Sequence, residues 1–202
     1  MQTKNSKMKK SASIVCIGNW NSKIFTPQWV MSKLFAVPEG ESMNMNVNKD
    51  NLNLSFIWKE YSFSPTDKVV EIKTAIMDSD ILKQEEDLFA KLVDYLPHTP
   101  IEAYGYNIKF DFDNSEFAVT KLKDLYNIKV VDRYNICTIS LQAIEEQNYT
   151  KTILVEFKGD NIVVTFNLEF KNLLFAKRDE YCKYDILNEE IKKVLGDEYR
   201  IY

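Results

Sequence analysis

The longest regular alternation of apolar and polar residues runs from residue 78 to residue 112. In its first part, apolar residues recur every three or four positions, which predicts a helix with one buried face. Asp78, Ser79 and Asp80 offer side-chain oxygens to the first backbone N–H groups, and Pro97 ends the helix. Residues 101–112 then alternate, which predicts a strand. The helix carries these apolar residues: Ile81, Leu82, Leu88, Phe89, Leu92, Val93 and Leu96.

The remaining elements follow from the same two periods. Thr26 and Pro27 are a typical helix start, and this helix is predicted to end near Phe35. Residues 41–51 are rich in Ser, Met and Asn and are interpreted as an exposed loop. Further strands are predicted at 14–17, 52–63, 69–77, 130–144, 152–158 and 162–171, and further helices at 116–126 and 179–195.

This order of elements predicts an α+β fold in which antiparallel β-meander sheets carry two long amphipathic helices. Because each half of the chain has strands followed by one long helix, we expect two similar lobes. The expected division is a flexible basic leader at 1–13, a first lobe at 14–113 and a second at 114–202. One continuous domain is the alternative.

Composition and charge narrow the class of protein. The chain is 45% hydrophobic and 13% aromatic, enough for a packed core, and its net charge is −4. That charge argues against a surface that coats nucleic acid, although the Lys-rich leader keeps a nucleic-acid-binding arm as an alternative. No apolar run is long enough to span a bilayer or form a signal-peptide core, so we expect a cytoplasmic protein without a membrane partner. Three separated cysteines, Cys16, Cys137 and Cys182, are interpreted as buried reduced thiols.

Few residues offer catalytic chemistry. His98 is the single histidine and is more typical of a hydrogen-bonded corner residue than of a catalytic base. Asp111, Asp113 and Glu116, together with Glu71, could hold Mg²⁺, or they could be solvent-facing and turn residues. Isolated glycines exclude a phosphate-binding loop, so no cofactor is predicted.

Two further groups of side chains have alternative interpretations. Glu85, Glu86 and Asp87 are assigned to the solvated face of the 78–96 helix. The many aromatic residues suit core or interface packing better than base stacking, which normally needs a basic surround. Trp20, Tyr104 and Tyr106 are the predicted interface residues on a partly exposed sheet face.

Two blocks of sequence resemble a known family. Gly18-Asn19-Trp20-Asn21 with Ile24-Phe25-Thr26-Pro27 and Trp29 forms the first block. Leu96-Pro97-His98-Thr99-Pro100-Ile101 with Ala103, Gly105 and Asn107 forms the second. Together they resemble a sporadically distributed bacterial protein family of unknown function. The resemblance implies a bacterial or phage accessory protein from a mobile or defence-linked locus, and it implies no activity.

These observations predict a non-enzymatic protein-protein interaction module whose partner is another protein or a second copy of itself. One alternative is a metal-dependent hydrolase or nuclease that uses Asp111, Asp113 and Glu71, with His98 as the remaining catalytic candidate. The other alternative is a nucleic-acid binder that uses the Lys-rich N-terminus.

Overall fold

The protein is built around one antiparallel sheet. The computed structural model describes residues 8–48, 53–112, 138–145, 149–158, 161–171 and 183–201. Within these residues nine strands form one sheet, in the order β2-β3-β4-β5-β1-β6-β9-β8-β7. The prediction of an α+β fold with an antiparallel sheet is confirmed. No described helix has the length and apolar character needed to cross a membrane.

The strands and helices have the following bounds. The strands are β1 Lys9–Gly18, β2 Asn44–Val47, β3 Leu54–Trp58, β4 Tyr61–Pro65, β5 Val69–Thr74, β6 Ile101–Phe112, β7 Thr138–Glu145, β8 Tyr149–Lys158 and β9 Asn161–Phe170. The helices are α1 Pro27–Trp29, which continues as a π-helical turn Val30–Leu34, then α2 Ser79–Tyr95 and α3 Lys183–Leu195.

The two long helices cover the same face of the sheet. α2 packs on β5 and β1, and α3 packs on β9 and β6. Successive side chains of a strand point to opposite faces, so residues paired across strands share a face. One row of such partners crosses the covered face and is buried throughout: Phe56, Phe63, Ile72, Ile14, Tyr106 and Leu168.

The halves of the chain meet at the centre of the sheet, where β1 pairs antiparallel with β6. β5 lies on the outer side of β1 and is followed by α2, whereas β9 lies on the outer side of β6 and precedes α3. Both halves therefore belong to one sheet, and their division into two similar lobes stays a prediction. The predicted boundary at 113/114 lies outside the described residues.

Several predicted boundaries are wrong. β1 begins at Lys9, so the last five residues of the predicted leader 1–13 belong to a central strand. The predicted strand at 52–63 is two strands, because Lys59 adopts a positive φ of 50° and the chain turns back there. The predicted loop at 41–51 contains β2, which pairs with β3. The predicted helix at 116–126 lies outside the described residues.

Candidate functional site

The three predicted interface aromatics face the interior, so that prediction is wrong. Trp20, Tyr104 and Tyr106 are between 1% and 3% exposed. Tyr104 stacks on Phe170 with ring centroids 5.1 Å apart, and Tyr106 meets Tyr184 of α3 edge-on at 5.2 Å. The Tyr104 and Tyr106 rings lie under the long helices, and the Trp20 ring packs against Phe25, so the chain's own packing uses their surface.

The predicted metal ligands do not converge on one point. Glu71 is level with Val15 on β1, whereas Asp111 is level with Lys9, six positions away on the same strand. Six residues of strand span roughly 20 Å, far more than two ligands of one ion allow. Asp113 and Glu116 lie outside the described residues. The described parts of the chain contain no group of three or more His, Cys, Asp or Glu side chains placed to hold a metal.

His98 lies in an exposed turn at the end of α2. The backbone N–H of Thr99 donates to the carbonyl of Leu96 at 3.1 Å and closes this turn. His98 is exposed, and it belongs to no group of three or more potential metal ligands among the described residues. The structure thus places the single histidine at a surface corner.

The two sequence blocks that carry the family resemblance meet at this corner. Asn19 N–H donates to the carbonyl of Pro100 at 2.9 Å, and Trp20 N–H donates to the carbonyl of Asp67 at 2.9 Å. A Cβ at Gly18 would lie 2.5 Å from the Pro100 oxygen, so the close approach of the two segments requires glycine there. The two blocks therefore contribute to the packing of one corner.

A buried acid, Glu85, lies between the two long helices and contradicts the prediction that it is solvated. The side chain is 0% exposed, and its Oε2 accepts a hydrogen bond from the Tyr184 hydroxyl at 2.7 Å. Its Oε1 has no hydrogen-bond partner among the described residues. Burial raises the pKa of Glu85 to about 8, although the Tyr184 hydrogen bond lowers it.

The helical stripe of Leu82, Phe89 and Leu92 could have revealed this position, because Glu85 falls within it at three- and four-residue spacing. A carboxyl with a pKa near neutrality is a common feature of catalytic sites. Here it is sealed from solvent, so a substrate cannot reach it in this structure. Its effect is on the packing of α2 against α3.

The face of the sheet opposite α2 and α3, called the uncovered face, carries mostly polar and charged side chains among the described residues. Its apolar residues include the buried Val163 of β9 and the exposed Ile17 at the end of β1. Ile17 is 43% exposed and is paired with Val69 on β5 and Ala103 on β6. Because β1 has a strand on each side, its backbone groups are engaged in the sheet. The patch of Ile17, Val69 and Ala103 offers a partner apolar side chains, but its backbone groups are already hydrogen-bonded within the sheet.

β2 differs from that patch because it is an edge strand. The N–H of Asn48 donates to the carbonyl of Asn53 at 2.9 Å, which fixes the positions that bond inward to β3. Bonding alternates along an antiparallel pair, so the backbone groups of Met45 and Val47 point outward. Among the described residues, no strand pairs with this outer side.

The side chains of β2 are equally accessible. Met45 is 47% exposed and Val47 is 48% exposed, and both lie on the helix side of the sheet, level with Phe56 and Leu54. The chain carries no charge from residue 42 to residue 48. Edge strands are commonly protected by Lys, Pro or a bulge, and β2 has none of these.

A scan of the sequence against models of known protein families finds no match, and neither does a search of curated proteins.

Proposed function

We propose that this chain is a non-enzymatic protein-protein interaction module that takes an extended protein segment along β2. The outward backbone groups of Met45 and Val47 carry the proposal. They can form the ladder of a tenth strand, as in other cases of β-strand addition. The exposed side chains at the same two positions provide apolar contact, so both parts of strand recognition are present together.

The chemistry elsewhere supports a binding role. Among the described residues, the carboxyl with a strongly raised pKa is that of Glu85, which is enclosed between helices. Glu71 and Asp111 stand too far apart to share an ion. The hydrolase alternative therefore depends on residues outside the described parts of the chain. The family resemblance alone implies a bacterial or phage origin and a link to defence, and the sequence alone suggests a cytoplasmic location. All three stay predictions.

The nucleic-acid alternative also has less support. Lys9 and Lys10 of the predicted basic arm belong to β1, where they pair with Asp111 and Phe110. The Nζ of Lys10 lies 5.5 Å from the centroid of the Phe110 ring and 3.5 Å from the carbonyl oxygen of Arg200. Burial lowers the pKa of this amine. Two of the four leader lysines are thus fixed on the sheet.

Site-specific photo-crosslinking in the cells that make the native chain tests the proposal. A photoreactive amino acid replaces Met45 or Val47, and the matched control carries it at Ile17, which is exposed to a similar degree on a strand paired on both sides. We expect adducts with a defined protein segment from positions 45 and 47. Adducts from position 17 alone, or adducts from none of the three, would contradict docking along β2.

A backbone variant separates strand addition from simple apolar contact. The Met45 N–H points away from β3, so Met45→Pro removes an outward donor without removing an inward one. We expect this variant to lose the adduct formed from position 47, whereas Met45→Leu keeps it. Equal crosslinking by the two variants would show that the partner does not use the β2 backbone.

A further inference from the structure

β2 has a pattern that is compatible with antiparallel pairing to its own copy. From residue 44 to residue 48 the sequence is Asn-Met-Asn-Val-Asn, which is symmetric in polarity about Asn46. A strand that pairs antiparallel with itself across a twofold axis keeps every polar residue opposite a polar one only if its pattern is symmetric. The segment also lacks charge, so self-pairing opposes no like charges.

We infer that two copies of the chain associate through β2, antiparallel and with the twofold axis at Asn46. This inference rests on the proposed function, since it names the segment that docks along β2. The outward residues must face each other, which places Met45 of each chain opposite Val47 of the partner. Two such pairs form four backbone hydrogen bonds and two apolar contacts.

The same register also determines how the two copies of Asn46 meet, on the face of β2 opposite Met45 and Val47. Asn46 bonds inward to β3, so the two copies of Asn46 form a non-hydrogen-bonded pair at the axis. Such pairs have Cα atoms about 4.5 Å apart, within the range that a disulfide requires. Both sets of helices lie on one side, and the two sheets become a single sheet of eighteen strands.

The size of β2 limits the strength of this dimer. A strand of four residues covers much less than the roughly 800 Å² per partner of a standard interface. We therefore expect association at micromolar concentrations or above, with monomers at lower concentrations. In sedimentation experiments the average mass should rise with concentration toward twice that of one chain, and Val47→Lys should abolish this rise.

Disulfide trapping tests the geometry directly. In a Cys137→Ser/Cys182→Ser background, which leaves only the buried Cys16, Asn46→Cys places a thiol at the axis. We expect mild oxidation to produce a disulfide-linked dimer joined at position 46. The matched control is Asn44→Cys, which lies on the same face of β2. In this register residue 44 is opposite Asn48 of the partner, so the two copies of residue 44 are roughly 13 Å apart along the strand.

The outcomes separate this inference from the proposed function. A dimer trapped from position 46 but not from position 44, and lost on adding Val47→Lys, is the expected result. Equal trapping from both positions would indicate random collision and overturn the inference, as would a chain that stays monomeric and untrapped. If positions 45 and 47 then crosslink to a different protein, the proposed function stands without the self-association. If they crosslink to nothing, both proposals fail.

Discussion

The two faces of the sheet use opposite kinds of side chain. Under α2 and α3 the strands present Phe, Tyr, Ile and Leu, which pack into one core. On the uncovered face the same strands present mainly Ser, Thr, Asn and scattered charges, as in the run Gly105, Asn107 and Lys109 of β6. The covered face is buried where α2 and α3 pack on it, whereas Met45 and Val47 at the β2 edge of the same face stay exposed.

The comparison also explains why aromatic content misleads about function. In β6, Tyr104, Tyr106 and Phe110 alternate with the small and polar residues, and all three point under the helices. The aromatic rings that suggest an interface in the sequence are buried in the core of the folded chain. The exposed apolar side chains at the sheet edge are instead Met45 and Val47 of β2, which contains no aromatic residue.

The largest effect should come from truncating a ring on the covered face. Phe166 is 1% exposed and packs against the Phe110 ring, with centroids 6.0 Å apart. Phe166→Ala leaves a cavity that the surrounding side chains fill only partly, so we expect a loss of about 3–5 kcal/mol in the free energy of unfolding. Chemical denaturation measures it.

Thr165→Ala is the matched control, because Thr165 is the adjacent residue of the same strand on the uncovered face. We expect it to cost less than about 1 kcal/mol, since the side chain is partly exposed on the face opposite the helices. Similar losses for the two variants would contradict the one-sided sheet.

The second prediction concerns Glu85, the exception on the covered face. Its usual pKa of 4.5 is raised to about 8 in the folded chain, first by burial and then by the charges of Glu86 and Glu71. Between these two values the folded state holds a proton that the unfolded state has released. Stability from this group is therefore complete below pH 4.5 and falls as pH rises to 8, by up to about 1.4 kcal/mol per pH unit.

Glu85→Gln keeps an acceptor for Tyr184 and cannot ionise. We expect it to match the parent chain near pH 5 and to exceed it by about 2–4 kcal/mol at pH 8, measured by denaturation across that range. Burial also raises the pKa of Tyr184, which packs against the Tyr106 ring. The pKa of Tyr61 is raised too, first by burial and then by the Glu85 charge. Asp94→Asn, at an exposed position of α2, is the control. A parent curve that stays level over this pH range, or a Glu85→Gln curve that keeps the slope, would contradict the buried carboxyl.

Periodicity alone predicts much of the covered face. The positions that alternate in β6 and those that recur at helical spacing in α2 are the ones that become buried. Alternation divides a strand's residues into two sets, but it does not say which set the helices cover. The sequence therefore places Tyr104 and Tyr106 in the same set, but it predicts an exposed environment for residues that are buried.

Residue composition gives a wrong prediction at two sites, residues 44–48 and Glu85. Residues 44–48 alternate strictly, as a strand does, but their Asn and Met content indicated a loop. Glu85 lies within the apolar stripe of α2, yet its charge and its acidic neighbours indicated solvent. At both sites the spacing of apolar and polar residues agrees with the observed structure, whereas the residue types alone predict a different one. The distance between Glu71 and Asp111, in contrast, depends on strand register, which no local pattern specifies.

The smallest predicted effect lies on the uncovered face, where an amide pair crosses from β6 to β9. The Nδ2 of Asn167 donates to the Oδ1 of Asn107 at 2.8 Å, and both side chains are partly exposed. Because water can replace the lost partner, Asn107→Ala should cost only about 0.5–1.5 kcal/mol in denaturation. Gln142→Ala, at an exposed position of β7 on the same face, should change stability by less than about 0.5 kcal/mol. A loss from Asn107→Ala as large as that from Phe166→Ala would show that the uncovered face is packed like the covered one and would remove the contrast between them.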